Sequence, residues 1–322
     1  MVSTSLVVGF VGVLVAAWVH ELMRAMPAPF DDLAALAIPP ERLALYPGNA
    51  NGSNIPAALD GAFTSNEALK AATRLFQGVV VGSESVAVSE SGTLVMCDRH
   101  GFVFQARPSL AGYALEKSSP LYIGPGRPLG FHVLGDDLYV CDLLKGLVRV
   151  KLSTGATEVL SNAVSAAADG AAPRPFNYAN DLDISSEGIV YFTASTDAPV
   201  ARNAHGFYDT MRSALLSSLR GADDGRLLRW DPSTRQTSVL LDGLAFANGV
   251  ALSADESWVA VVETNLARVQ RHWLRGPRAG QTEVLVDRLP GLPDGISRSP
   301  DGGFWVGLVV PLSPIPKFFG PY

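Results

Sequence analysis

One strand–turn–strand texture returns five times along this chain, and that repeat restricts the fold more than any other feature of the sequence. Each unit reads as an apolar run, a turn and a second apolar run. The second runs end near Cys97, Cys141, Thr193, Val261 and Gly307, at spacings of 44, 52, 68 and 46 residues. Short β-rich runs broken by Gly, Asp and Ser, at a period of roughly 40–50 residues, are the mark of propeller blades, each a four-stranded sheet. Third and fourth strands follow the anchors, as in GLVRVKLSTGATEVL, and STG, PSTR and GPRAG supply the hairpin turns. The 68-residue spacing holds an insertion, about 194–224, whose middle TMRSALLSSL is helical in character. Insertions in repeat folds gather on one face, often the binding face, so a cap over a pocket is expected here. The fifth unit stops after its second strand, so the last blade reads as incomplete. Closure by the lead-in and continuation in a longer chain both remain open.

Four oxygen-bearing side chains occupy one position of the repeat. Glu84, Asn180, Asn248 and Asp294 each stand five residues before a serine: Ser89, Ser185, Ser253 and Ser299. Equivalent positions of propeller blades face a common axis. Two carboxylates and two carboxamides on one axis make a hard-cation site, and calcium suits them best. Blade two is an internal control, since Leu129 fills the same position there. The polar choice elsewhere is therefore not demanded by the repeat. The bland alternative is that Asn180-Asp181, Asn248-Gly249 and Asp294-Gly295 are ordinary turn dipeptides. It accounts for neither the shared register nor Glu84. Asp181 is a further candidate ligand, a partner for Asn180, or a turn cap. The four serines read as turn formers. His132 reads as a structural strand histidine, and His100, His205 and His272 lack partners at telling spacings. No zinc cluster, G-x-S-x-G elbow, P-loop or dinucleotide fingerprint is present.

The N-terminus has a different character. Residues 2–19, VSTSLVVGFVGVLVAAWV, carry no charge. As a helix they would span roughly 27 Å at ~1.5 Å per residue, enough for the hydrocarbon core. No basic residue precedes the run and no clear cleavage site follows it, so a retained signal anchor is preferred over a cleaved signal peptide. The expected organisation is an anchor over 1–24, a Pro/Ala/Asn-rich lead-in over 25–76 and the propeller over 77–322. A single sequon, Asn51-Gly-Ser53, suits a glycoprotein with a lumenal face. Cys97 and Cys141 fall at matching points of neighbouring blades, usually too far apart for a disulfide, and read as buried thiols with a disulfide as the minority alternative. With 25 basic against 31 acidic residues and a net charge of −6, the chain lacks the basic surplus of a nucleic-acid partner.

Several segments together resemble the strictosidine synthase-like family, especially its adipocyte plasma membrane-associated branch. They are GSESVAVSESG, GRPLGFHV, YANDLDISSEGIVYFTAST, GRLLRWDPSTRQTSVLLDGLAFANGVALS, RHWLRGPRAGQTEVLVDRLPGLPDGI and GGFWVGL. The resemblance covers about residues 78–310. It implies an all-β, six-bladed β-propeller of the group that includes gluconolactonases and paraoxonases, here with an incomplete last blade behind an N-terminal transmembrane helix. It places that group's axial calcium ligands on Glu84, Asn180, Asn248 and Asp294. The paraoxonase histidine of blade two is replaced by Leu129, so a histidine-dependent mechanism does not transfer. The catalytic glutamate of true strictosidine synthases belongs to a last blade beyond Tyr322, which leaves amine–aldehyde condensation poorly supported. The leading expectation is a single-pass protein of the secretory pathway, in the endoplasmic reticulum or plasma membrane. It would act as a calcium-dependent hydrolase on a small ester or lactone, with Asp294 as both ligand and candidate base or nucleophile. A non-catalytic propeller with structural calcium is the third reading.

Overall fold

The structure is a computed structural model, and it describes residues 45–46, 58–110, 112–116, 120–165 and 172–312. The apolar run 2–19 and the Asn51 sequon lie outside those residues. Among the described residues no helix is long and apolar enough to cross a membrane.

Four antiparallel sheets of sequential strands follow one another along the chain. The first holds β1 (Val86–Val88), β2 (Leu94–Cys97), β3 (Phe102–Ser109) and β4 (Gly112–Leu115), with the short β5 (Leu121–Tyr122) paired to β3. The second holds β6 (Pro128–Leu134), β7 (Asp137–Asp142), β8 (Gly146–Lys151) and β9 (Thr157–Ser161). After a minor pair, β10 (Ala163–Val164) and β11 (Arg174–Pro175), the third sheet holds β12 (Ala179–Ile184), β13 (Val190–Ala194), β14 (Gly225–Asp231) and β15 (Gln236–Leu244). The fourth holds β16 (Ala247–Leu252), β17 (Trp258–Glu263), β18 (Arg268–Trp273) and β19 (Thr282–Val286). A fifth is formed by β20 (Gly291–Arg298) and β21 (Phe304–Pro311). The first strands of consecutive sheets are neighbours throughout, β1 with β6, β6 with β12, β12 with β16 and β16 with β20. Blades of a propeller share this order. The described part of the lead-in contributes 3-10 turns at Gly61–Phe63 and Ala68–Ala71 and no strand.

Period-two alternation explains why the sheets stack. Successive side chains of a strand point to opposite faces, so a strand buried on both sides feeds two cores. On β7, Leu138 and Val140 pack toward the first sheet, whereas Tyr139 and Cys141 face the third. On β17, Val259 and Val261 pack with Leu227 and Leu244 of the third sheet, while Ala260 and Val262 meet Ile296 of the fifth. Both cysteines are free thiols in these cores, and burial pushes their pKa up.

Phe192 is fully buried at the centre of the core between sheets two and three, with Phe176 edge-to-face at 5.5 Å. Phe192→Ala is expected to cost about 3–5 kcal/mol, measured as a lowered denaturant midpoint.

Four boundaries differ from the sequence reading. The second strands run past the anchors at Cys141, Thr193, Val261 and Gly307, ending at Asp142, Ala194, Glu263 and Pro311. Asp142 and Glu263 cap neighbouring loops. Asp142 Oδ1 accepts from the Leu144 and Lys145 amides, and Glu263 Oε1 accepts from the Ala245 amide at 3.0 Å. A polar residue looks like a strand end until those partners are known. The four serines open turns as expected, for example with the Gly188 amide donating to Ser185 O at 2.9 Å.

Candidate metal centre

Four first strands are interrupted at one equivalent place. Pairing register slips between Pro128 and Phe131 in β6, Ala179 and Leu182 in β12, Ala247 and Val250 in β16, and Pro293 and Ile296 in β20. Leu129, Asn180, Asn248 and Asp294 each come first inside their slip. A β-bulge bends its strand and re-aims a side chain. The dipeptides that could have been turns are therefore bulges within strands, which corrects that alternative. Glu84 belongs to the loop leading into β1, where Ser83 Oγ donates to Ser85 O at 2.9 Å.

The two asparagines are held alike. Asn180 Nδ2 donates to Ser195 Oγ at 2.8 Å, and Asn248 Nδ2 donates to Thr264 Oγ1 at 3.1 Å. Each hydroxyl stands just past its second strand, and each fixes a carboxamide whose oxygen lies on the opposite side of the group. Ahead of them, Tyr178 and Phe246 adopt left-handed backbone, at φ 54° and 60°. Their carbonyls accept from the Ser195 and Thr264 amides, and their rings meet edge-to-face at 5.4 Å. Left-handed non-glycine residues carry strain and tend to gather at functional sites.

The structure brings part of the predicted set into contact. Asn248 Nδ2 also donates to Asp294 Oδ1. Glu84 lies within electrostatic reach of Asp294 and Asp181. Asn180 and Asn248 are buried, Asp294 is half-buried and Glu84 keeps exposed surface. Protein still crowds the Glu84 carboxyl enough to push its pKa up to about 8, first through lost hydration and then through the charge of Asp294. Burial also raises Asp294, against the hydrogen bond from Asn248. Asp181 is pushed up to about 7 by burial, opposed by amide hydrogen bonds and reinforced by Asp183 and Asp294. Arg127 offsets only part of the crowding at Glu84, and a divalent cation would supply further counter-charge to the set. Among the described residues no three His, Cys, Asp or Glu side chains gather as a metal cluster. The donors in question mix carboxylates with carboxamides, and that oxygen set fits a hard cation.

Asp181 also has a role that is not local to its own strand. Its Oδ1 accepts from the Leu182 amide and its Oδ2 from the Val250 amide at 3.1 Å, so it ties β12 to β16. Asp183 repeats the device two residues on, taking the Leu252 amide at 2.8 Å. His132 lies 3.7 Å from Asp183 Oδ1. An axial cavity of about 450 Å³ opens beside them, lined among others by Ser85, His132, Asp181, Asp183 and Ser297.

The insertion does form a helix, α1 (Thr210–Arg220). It is capped by the Asp209 side chain and ended by Gly221 in the left-handed region. It packs at the end of the strands that carries the site. Tyr178 OH donates to Thr210 O at 3.2 Å, and Val200, Tyr208 and Ala214 cover Leu129, Tyr178 and Phe246. Two arginines face the same region. Burial lowers the Arg127 pKa, with Glu84 opposing and Arg99 reinforcing the shift. Arg99 stacks over the Phe207 ring at 4.5 Å, and His100 and His205 flank that ring. His272 instead pairs with Thr282. The sequence reading missed Ser195, Thr264, Tyr178, Arg99 and Arg127. Ser195 lies two residues past Thr193 and Thr264 three past Val261, because the turn from Ser253 to Trp258 is one residue longer than that from Ser185 to Ile189, and this hides their equivalence in the sequence.

Comparison with known proteins agrees with this architecture. The strictosidine synthase family profile matches residues 180–277, and that for the strictosidine synthase-like N-terminal region matches residues 61–106. Adipocyte plasma membrane-associated protein of Gallus gallus is 32% identical over 82% of this chain and 61% of its own length. Protein STRICTOSIDINE SYNTHASE-LIKE 13 of Arabidopsis thaliana is 39% identical over 57% of this chain and 41% of its own length. The chain thus spans roughly half of these relatives. A solved gluconolactonase from Xanthomonas campestris shares the fold, with a TM-score of 0.55 at 20% identity over 71% of this chain and 70% of its own. Strand order, repeat position and sequence converge on one assignment: the chain belongs to the strictosidine synthase-like family.

Proposed function

We propose that this protein is a membrane-anchored, calcium-dependent hydrolase of small esters or lactones, built on a six-bladed propeller. The observation that carries the reading is the set of oxygen side chains issued from equivalent places, with Asn248 on Asp294 and Glu84 in electrostatic reach of both acids. Glu84, Asn180, Asn248 and Asp294 would hold calcium, and Ser195 and Thr264 would orient the two carboxamides. When bound, the ion supplies Lewis-acid polarisation of a carbonyl oxygen. Asp294, half-buried at the rim of the set, is the candidate base that takes a proton from the attacking water. Leu129, Tyr178 and Phe246 give the adjoining wall its apolar character. The anchor is assigned to residues 2–19, in keeping with the membrane-associated names of the relatives.

The test is hydrolysis of phenyl acetate and simple lactones with and without chelator, using the full chain. Turnover lost on chelation and restored by calcium is expected. Metal-dependent melting without turnover would leave a non-catalytic propeller with structural calcium.

Proton linkage gives a second check. The folded, metal-free protein holds the Glu84 proton up to about pH 8, whereas an unfolded chain releases it near 4.5. The native state therefore binds more protons between those values, and the stability of the metal-free protein falls as pH rises through that window. Calcium must displace the proton, so its affinity should rise from pH 6.5 to 8.5 with proton release at the lower pH. Calorimetry in two buffers of different ionisation heat reads this directly.

A further inference from the structure

Two guanidinium groups stand beside the Glu84 segment with no carboxylate at ion-pair distance, and Glu84 and Asp98 act on Arg127 only from further off. Arg99 follows β2 and Arg127 precedes β6, so they come from neighbouring sheets. Both are half-buried, and among the described residues neither makes an ion pair within 4 Å. The Nε atom of each is buried without a hydrogen-bond partner. Both lie against Gly82. A methyl group there would lie 3.0 Å from Arg99 Nε and 3.4 Å from Arg127 Nη1, on a backbone with φ +65°. Arg99 is held further by the Phe207 ring and by its amide on Val81 O at 3.0 Å. Asp98, the nearby acid, is occupied by the His100 and Phe102 amides.

Like charges placed together with buried, unsatisfied N–H groups are costly to keep unless an anion completes them. Guanidinium forks match carboxylate oxygens in geometry. A dication on Glu84 would leave this mouth more positive still. We infer that Arg99 and Arg127 form a subsite for a carboxylate group, so that the substrate is an anionic ester or lactone with its charge beside the reacting carbonyl. The inference rests on the proposed hydrolase activity for the identity of the reacting bond, but not for the anion site itself.

The experiment uses the full chain, loaded with calcium, and the pair phenyl acetate and 4-acetoxybenzoate. Water adds to the acetyl carbonyl, the bond from that carbon to the aryloxy oxygen breaks, and the departing oxygen takes up a proton, giving acetate with phenol or 4-hydroxybenzoate. In parallel, calorimetry measures binding of 4-hydroxybenzoate and of phenol without turnover. Tighter binding of 4-hydroxybenzoate by about 10-fold or more is expected. Arg99→Gln and Arg127→Gln should each reduce that preference about 10-fold, and should lower the 4-acetoxybenzoate to phenyl acetate ratio of kcat/KM in step. Arg127→Lys keeps the charge without the Nε donor and should fall between, which preserves the test if one variant fails to fold. Loss of 4-hydroxybenzoate binding in the variants, with no ester turned over by any form, supports the subsite and refutes the hydrolase reading. Calcium-dependent turnover with unchanged binding and unchanged ratio in all variants overturns the subsite.

Discussion

Asp294→Asn is expected to weaken calcium binding by ~100-fold or more and to cut calcium-dependent turnover by about 10³-fold. The exchange keeps the shape of the side chain and its bulge in β20, so packing against Asn248 survives. What changes is charge: the formal −2 of the donor set becomes −1. The metal-free protein should respond in the opposite sense. Asp294 is the charge that most raises the Glu84 pKa after burial. Removing it lets Glu84 ionise at lower pH, so the metal-free variant should melt no lower than wild type at pH 8. Calcium titration, turnover and thermal melting of one variant thus move in different directions. A residue that merely supported the fold would instead lower stability with or without metal.

Gly249→Ala should disturb both the packing and the metal set. Gly249 follows Asn248 inside the bulge of β16, where the backbones of β16 and β20 approach closely. A methyl group there would lie 2.5 Å from the Ile296 amide nitrogen and 2.6 Å from Asp294 O. Both are main-chain atoms, so no rotamer change relieves the overlap. Separating the strands moves Asn248 away from Asp294. Overpacking of this kind costs about 1–3 kcal/mol or more, and calcium affinity should fall with it. Urea unfolding and calorimetry on the same preparation check both. Unchanged stability together with unchanged affinity would show that the two bulges are not held in register by this contact.

Much of this architecture is legible in the amino-acid sequence. The repeat identifies the sheets, and Leu129 shows that the polar position is a choice rather than a necessity of the fold. Period-two alternation accounts for the stacked cores, and TMRSALLSSL marks α1. The bulges are not legible, because a slip in pairing register depends on the partner strand. Asp181 illustrates the limit. Nothing local reveals that its carboxylate serves the Val250 amide of another sheet. Arg99 and Arg127 belong to the same class, since they stand 28 positions apart and both close on Gly82. Ser195 and Thr264 come within reach of the sequence only when the extra residue in the Ser253–Trp258 turn is allowed for.

The central claim is that four oxygen side chains from equivalent places bind one hard cation. A crystal structure of the calcium-loaded protein tests it most directly. The account predicts one calcium ion with oxygens of Glu84, Asn180, Asn248 and Asp294 at about 2.3–2.6 Å. Calcium bound elsewhere, or a saturated protein with these four side chains unliganded, would contradict it.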